Sequence, residues 1–258
     1  MTTEHWVFLR GLVREQRHWE DFPHRFNEVF PSARVHLVDL PGNGDLYYRR
    51  SPLTVSAMVD AVRAELTTRN INGPISVLAI SLGGMVAIDW MKRFPSEIQQ
   101  AVIINTSLRG MGSFAERLIP ENYWEIFKRI TLNPTPLARE KTILAISSNL
   151  YRHKEALAYK WVSYAKERPV SEKNAIRQLL AATRYKAPKS CPHDRVLLLA
   201  SKQDRLVSVR CSEKLAQAWQ WPLRIHPIAG HDLPLDDSNW ILQQISQWKC
   251  LREETGNE

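Results

Sequence analysis

Ser81 is the first of three polar residues that could together carry out nucleophilic catalysis in this 258-residue chain. It follows the apolar run ISVLAI and precedes LGGMVA, which predicts a serine on a sharp turn between a strand and a helix. The small residues Ala79 and Gly83 leave room for such a turn. The helix that follows would present unpaired N–H groups and a positive dipole end to a developing oxyanion. A serine before a helix can also be only an N-cap, so a nucleophile needs further support.

A nucleophilic serine needs a base, and the base needs an acid that orients it. Asp204 follows the apolar run VLLLAS, and His231 lies in the turn PIAGHDLPL after the next run. One helix and one strand fit between them, so both side chains are expected at the same carboxyl edge of a parallel sheet as Ser81. The predicted chemistry is acyl transfer, with His231 as base and Asp204 holding the imidazole. The neighbouring carboxylates are expected to cap helices or lie in solvent; they are Asp232, Asp236 and Asp237.

Ser81, Asp204 and His231 each follow a short apolar run of the kind found in strands covered on both faces. The runs span residues 6–9, 35–40, 75–80, 101–104, 196–200 and 223–228. Pro227 favours an edge position for the last strand, because proline cannot donate to a sheet. Helices are predicted between the strands at 54–68, 83–94, 209–219 and 240–251. The alternation predicts an α/β fold with a mostly parallel sheet of about six strands flanked by helices.

The alternation of strands and helices stops between residues 109 and 188, where the sequence reads as helices only. Residues 1–108 and 189–258 are therefore predicted to form the core, and residues 109–188 a helical insertion too long to be a loop. Trp124 and Trp161 in this insertion are predicted to line a pocket beside Ser81. The alternative, that such aromatic residues only pack the insertion onto the sheet, stays open.

Composition excludes several protein classes. With 44% hydrophobic and 24% charged residues, the chain is neither disordered nor collagen-like. The apolar runs are far shorter than the roughly 18 residues of a membrane span, and the N-terminus lacks the pattern of a signal peptide. The three unclustered cysteines favour neither a disulfide framework nor a zinc site. These features predict a cytoplasmic monomer or homodimer that has no membrane span and needs no metal or organic cofactor.

Positive charge is abundant, with a net charge of +8, but it is spread along the chain and does not predict a nucleic-acid partner. Arg10, Arg14 and Arg17 nevertheless lie close together after the first strand, and Arg109 follows the fourth. An arginine beside an apolar pocket can hold a carboxylate or phosphate through two hydrogen bonds. One prediction is therefore an anionic substrate held by Arg10, Arg14 or Arg109; the alternative is that these are surface arginines.

Five segments resemble the α/β-hydrolase superfamily: FLRGL, LVDLPGNGD, AISLGGMVA, LLLASKQDRLVS and AGHDLPL. The resemblance covers nearly the whole chain and is greatest to the small cytoplasmic carboxylesterase-like members. It implies the α/β-hydrolase fold with its triad in the chain order Ser81, Asp204, His231. It also implies that the helical insertion is the superfamily's cap.

The resemblance further implies, by position, that the backbone N–H groups of Leu12 and Leu82 receive the oxyanion. Arg10-Gly11 stands where the superfamily usually has His-Gly, a departure that could alter the mouth of the site. The implied activity is cleavage of a carboxylic ester or thioester through an acyl-enzyme. Two alternatives stay open: a lyase or C–C-bond enzyme like the menaquinone-pathway synthase, and a non-catalytic small-molecule receptor. Met85 stands where that synthase has a basic residue, which argues against the first alternative.

Overall fold

A single parallel sheet forms the centre of the computed structural model, which describes residues 3–119 and 135–255. The strands of this described part lie in the order β2-β1-β3-β4-β5-β6, and each pairs in parallel with its neighbours. They are β1 (Glu4–Leu9), β2 (Ala33–Val38), β3 (Ile75–Ile80), β4 (Ile98–Ile104), β5 (Val196–Ser201) and β6 (Leu223–His226). Because all strands run in parallel, their carboxyl ends share one edge, which is where Ser81 and the loops after β1, β5 and β6 lie.

Helices connect the strands and form the insertion. The described α-helices are α1 (Phe22–Val29), α2 (Val55–Thr68), α3 (Leu82–Arg93), α4 (Phe114–Arg117), α5 (Pro136–Ser147), α6 (Glu155–Glu167), α7 (Glu172–Arg184), α8 (Val209–Trp219), α9 (Leu233–Asp236) and α10 (Ser238–Thr255). Short 3-10 helices span Gln16–Trp19, Gly44–Leu46 and Pro95–Glu97.

Both faces of the sheet are buried. In β1, Val7 and Leu9 pack into a cluster with α2, α3 and α8, whereas Trp6 and Phe8 pack into a second cluster with α1 and α10. Successive strand residues point to opposite faces, so a strand covered on both sides must be apolar at every position. This requirement explains the continuous apolar runs, and the predicted α/β fold with a parallel six-stranded sheet is confirmed.

Some element boundaries differ from the predictions. Strand β2 ends at Val38 instead of residue 40, because the next carboxylate, Asp39, accepts the backbone N–H groups of Gln16 and Asp45 and turns the chain. Strand β6 is the edge strand expected from Pro227 and ends just before that proline, at His226. Helix α1 was not predicted; it is short, carries Pro at its start and buries only Phe22 and Phe26.

Helices α5 and α6 of the insertion pack on each other around Leu144, Leu157, Ala158 and Trp161. This small cluster is separate from the two clusters on the sheet. The division at residues 109 and 188 itself stays a prediction. Part of the predicted helical insertion, including Trp124, lies outside the described residues. Among the described helices, none is long and apolar enough to cross a membrane.

Candidate active site

Ser81 lies on a strained turn between β3 and α3, with φ 57° and ψ −119°. A non-glycine residue in this region costs about 1–3 kcal/mol, so its surroundings must hold it there. The Ser81 N–H donates to the carbonyl of Ile104 at 2.9 Å, and its carbonyl accepts the Thr106 hydroxyl at 2.8 Å. Any Cβ at Gly83 would lie 2.4 Å from the Leu9 carbonyl oxygen. The small residue in the motif therefore lets the start of α3 rest on the end of β1.

His231 and Asp204 are joined by a hydrogen bond of 2.7 Å between Nδ1 and Oδ2. The other carboxylate oxygen, Oδ1, accepts the backbone N–H groups of Leu206 at 2.7 Å and Val207 at 3.0 Å. An ionised carboxylate can only accept, so the proton on the neutral ring must be on Nδ1. Nε2 therefore carries the lone pair and can accept a proton.

Asn105 contacts the His231 loop and was not among the predicted site residues. Its side-chain amide donates to the His231 carbonyl at 2.8 Å, and its Oδ1 accepts the Ser201 N–H at 2.9 Å. Asn105 follows β4 and has φ 46°, a conformation that asparagine tolerates better than most residues. Asparagine directly after a buried strand was the available signal. The contacts anchor the His231 loop to the ends of β4 and β5.

The loop after β1 passes directly beside the serine. A Cβ on Gly11 would lie 3.0 Å from the Ser81 Cβ, so only glycine fits there without displacement. Leu12 follows in this loop, and Leu82 is the first residue of α3. Within the described ranges, neither N–H group donates to a turn, loop or cap hydrogen bond, and both residues line the cavity at Ser81. Their role as oxyanion donors stays a prediction.

A cavity of about 280 Å³ opens at the carboxyl edge of the sheet. Ser81 and His231 both lie on its wall. In the part of the chain that is described, no hydrogen bond joins their side chains; such bonds often tighten only with substrate present. Most of the wall is apolar and comes from both the core and the insertion, including Leu12, Ile80, Leu82, Met85, Leu118, Ile143, Ile146, Leu179, Leu206 and Val207. Phe114 and Leu179 also line the cavity and are exposed.

Arg10 and Arg14 also line the cavity, but each is paired with a carboxylate of the protein. Arg10 donates to both oxygens of Asp232, at 2.9 and 2.5 Å, and Arg14 Nη1 donates to Glu140 at 2.9 Å. Each guanidinium group thus already has a carboxylate partner, and the binding of an anionic substrate by these arginines stays a prediction. The expectation that Asp232 is a capping or solvated group is wrong, since it is buried and a buried charge requires a partner.

The other two arginines singled out from the sequence lie outside the cavity wall formed by the described residues. Arg17 binds Glu15 and Glu167, both at 2.5 Å. Arg109 is exposed, and its backbone pairs with residues 185–187 at the end of the insertion. The described cavity wall thus does not include Arg109, and its contact with a substrate stays a prediction.

Trp161 is likewise not a wall residue, although it was predicted to be one. It is fully buried inside the insertion, where its Nε1 donates to Glu20 at 3.0 Å and its ring lies 4.4 Å from the Arg14 guanidinium carbon. The alternative reading, packing of the insertion onto the core, applies to this tryptophan. Trp124, the other predicted lining residue, lies outside the described residues.

A family model described as the alpha/beta hydrolase family matches residues 6–242. The chain belongs to this family. Curated relatives in it include pimeloyl-(acyl-carrier protein) methyl ester esterases. One from Neisseria meningitidis serogroup C is 33% identical over 111 residues, which cover 42% of this chain and 38% of the relative. One from Chromobacterium violaceum is 39% identical over 75 residues, which cover 29% and 27%. The matches thus span less than half the length of either relative.

Solved structures of other hydrolases share the fold. An esterase from Thermogutta terrifontis superposes with a TM-score of 0.73 and 19% identity, covering 98% of this chain and 90% of that one. An esterase from Exiguobacterium antarcticum gives a TM-score of 0.78 at 15% identity, covering 96% and 92%. An enol-lactonase from Burkholderia xenovorans gives 0.76 at 15%, covering 97% and 92%. At these identities the likeness concerns the fold alone.

The charge of His231 is expected to set the pH dependence of this alpha/beta hydrolase. Burial alone would lower the pKa of His231, but the charge and hydrogen bond of Asp204 outweigh it and raise the pKa above its usual value of 6.5. Only the neutral ring can accept a proton. We therefore expect kcat/KM for an ester to fall as the pH is lowered through a value above 6.5, with the loss of one proton-accepting group.

This expectation is checked by measuring kcat/KM across about pH 5–9, at constant ionic strength, with a substrate that does not itself titrate. An acid limb whose midpoint lies below pH 6.5 would contradict the dominance of Asp204 over burial.

Proposed function

We propose that the protein is a serine hydrolase that cleaves a carboxylic ester or thioester through an acyl-enzyme. The observation that carries the proposal is the 2.7 Å bond between Asp204 and His231, with His231 on the wall of the same cavity as the strained Ser81. An oriented base beside a serine on such a turn is the arrangement that nucleophilic acyl transfer needs.

In the proposed reaction, His231 Nε2 takes the proton of the Ser81 hydroxyl as its oxygen attacks the acyl carbonyl. The N–H groups of Leu12 and Leu82 stabilise the oxyanion, and Asp204 stabilises the imidazolium that forms. His231 then gives its proton to the departing alcohol or thiol, which leaves an ester on Ser81. Water attacks this ester with His231 again as base, which releases the acid and restores the serine.

The substrate is proposed to carry a neutral, aliphatic acyl chain. Most of the cavity wall is apolar, and Arg10 and Arg14 already have carboxylate partners. Arg117, also on the wall, donates to the carbonyls of Ala182 and Thr183. The names of the curated relatives, which act on a methyl ester, support an ester with a small alcohol group.

A neutral acyl chain should therefore be preferred over a charged one of equal length. We expect kcat/KM for a p-nitrophenyl alkanoate to exceed that for the analogue with a terminal carboxylate by at least about tenfold, because the carboxylate would lose water without gaining a partner. Both compounds are to be assayed at low salt, where any attraction to arginine is strongest. Faster turnover of the carboxylate would restore the anion-binding role of the arginines.

The function itself is tested with p-nitrophenyl esters and matched acyl thioesters of graded chain length. Turnover that depends on Ser81, with a burst of p-nitrophenol and a Ser81-linked acyl group detected by mass spectrometry, is the expected result. Binding without turnover would favour the receptor alternative. Absence of Ser81-dependent turnover with every ester and thioester would contradict the hydrolase proposal and reopen the lyase alternative.

A further inference from the structure

Arg10 and Asp232 form a buried ion pair directly beside the proposed catalytic groups. Arg10 comes immediately before Gly11 and Leu12, and Asp232 comes immediately after His231. The guanidinium of Arg10 donates to both carboxylate oxygens of Asp232, at 2.9 and 2.5 Å, although the two residues are 222 positions apart. Their side chains are only 5% and 4% exposed.

The pair joins loops from opposite sides of the serine. Arg10 follows β1, whereas Asp232 belongs to the loop after β6, and β3, β4 and β5 lie between those strands. Ser81 follows β3, so it lies between the two loops. A guanidinium with two parallel hydrogen bonds to one carboxylate sets both a distance and an angle. The Arg10 guanidinium carbon also lies 4.8 Å from the centre of the Trp19 ring, which restricts the plane of the group.

Stability alone gives little reason for this pair. Two charges removed from water lose hydration that their attraction only partly restores, and apolar residues of similar size often serve as well. The Nε of Arg10 is, in addition, buried without a hydrogen-bond partner among the described residues. The pair therefore carries an unfavourable contribution that a purely structural contact could avoid.

We propose that Arg10 and Asp232 are positioning residues that hold the Leu12 loop and the His231 loop at a fixed separation across Ser81. This inference rests on the proposed function, because it assigns the pair to the reaction of Ser81. Neither residue exchanges a proton with the substrate. Their effect is on the alignment of the base and the oxyanion donor when the serine attacks.

The charges around His231 allow a loss of alignment to be distinguished from a change in the pKa of His231. Asp204 and Asp232 raise the pKa of His231, whereas burial and Arg10 lower it. Removing both members of the pair takes away one effect of each sign, so the midpoint of the acid limb should move little. A lower kcat with an unchanged midpoint of the acid limb would then show that the catalytic groups are misaligned.

The test is the double variant Arg10→Met, Asp232→Leu, which replaces the pair by apolar side chains and so preserves burial. We expect kcat for an ester to fall about 10- to 100-fold, since misplacement of reacting groups by about 1 Å has effects of this size. KM should change less than about threefold, because the apolar residues that form most of the cavity wall are unchanged. The matched control is Arg63→Met, Glu97→Gln, which removes another two-fold hydrogen-bonded pair, at 2.8 and 2.6 Å, between α2 and Pro95–Glu97.

A second readout does not need turnover. The proton NMR resonance of His231 Nδ1–H, which reports the bond to Asp204, should shift or broaden in the double variant and stay unchanged in the control. If the double variant does not fold, Arg10→Lys decides the question: it keeps the positive charge but cannot make the paired hydrogen bonds, and the same loss of kcat is expected.

The inference is overturned if the folded double variant, or Arg10→Lys, keeps kcat within about twofold of the unmodified protein, or if the control loses as much. If the unmodified protein shows no Ser81-dependent turnover at all, the proposed function fails. The resonance then decides alone: an unchanged His231 signal in the double variant would overturn the positioning role as well.

Discussion

Changing Ser81 to Ala is expected to lower kcat for ester hydrolysis by about 10⁴- to 10⁶-fold, and changing His231 to Ala should have a similar effect. In the proposed mechanism the serine supplies the oxygen that forms the acyl-enzyme, and the histidine supplies the base that makes this oxygen nucleophilic. In this mechanism neither the Ser81 hydroxyl nor the His231 imidazole is effective without the other. The double variant should therefore lose no more than either single variant, instead of the product of the two losses.

These losses are to be measured with the best ester of the chain-length panel, alongside thermal unfolding of each variant. Ser246→Ala is a suitable control, because that hydroxyl donates only to the Leu242 carbonyl within α10 and lies outside the cavity wall. Ser81→Ala is expected to be at least as stable as the unmodified protein, because alanine removes a polar group from the strained turn without changing its backbone requirement. Substantial activity left in Ser81→Ala would reject Ser81 as the nucleophile.

Changing Asp204 to Asn is expected to lower kcat by about 10⁴-fold while leaving the fold intact. The reason lies in the contacts of the carboxylate. Its Oδ1 accepts the N–H groups of Leu206 and Val207, so the amide oxygen of asparagine must take that position. The amide NH₂ then faces His231 Nδ1, which must give up its proton and accept. The ring proton moves to Nε2, and the base can no longer receive the proton of Ser81.

The tautomer change can be seen directly in the ¹⁵N shifts of the two ring nitrogens of His231, measured with the same samples used for kinetics. Asp194→Asn is the control, since this carboxylate is 92% exposed and precedes β5, at the opposite edge of the sheet from Ser81. A variant Asp204→Asn with near-normal kcat would show that another group orients the histidine. Normal ¹⁵N shifts with a lost activity would assign the effect to charge instead of tautomer.

The sequence by itself determined the fold and the three candidate catalytic residues. Strands covered on both faces must be apolar throughout, so they are visible as continuous runs, and β3 was predicted with its observed limits. The carboxyl ends of parallel strands share one edge, which made Ser81, Asp204 and His231 neighbours in the prediction. The structure joins the last two by a hydrogen bond and places Ser81 and His231 on one cavity wall. These features follow from local sequence patterns and from the parallel arrangement of the strands.

Charge pairing was decided only by the tertiary structure. Several arginines close together after the first strand are as compatible with an anion site as with an ion pair, because the local sequence does not show which group binds them. Arg14 meets Glu140 from the insertion, 126 positions away, and Arg10 meets Asp232 near the end of the chain. Such contacts depend on how remote loops pack at the sheet edge, which no periodicity encodes.

The direction of single side chains in the insertion was also beyond the sequence. An aromatic residue on a helix between two apolar surfaces can face the cavity or the helix neighbours, and both choices bury it equally well. Trp161 turns toward Glu20 and Arg14 instead of the cavity. Burial is a property that residue type predicts, whereas the partner of a buried side chain is set by the packing of segments far apart in the chain.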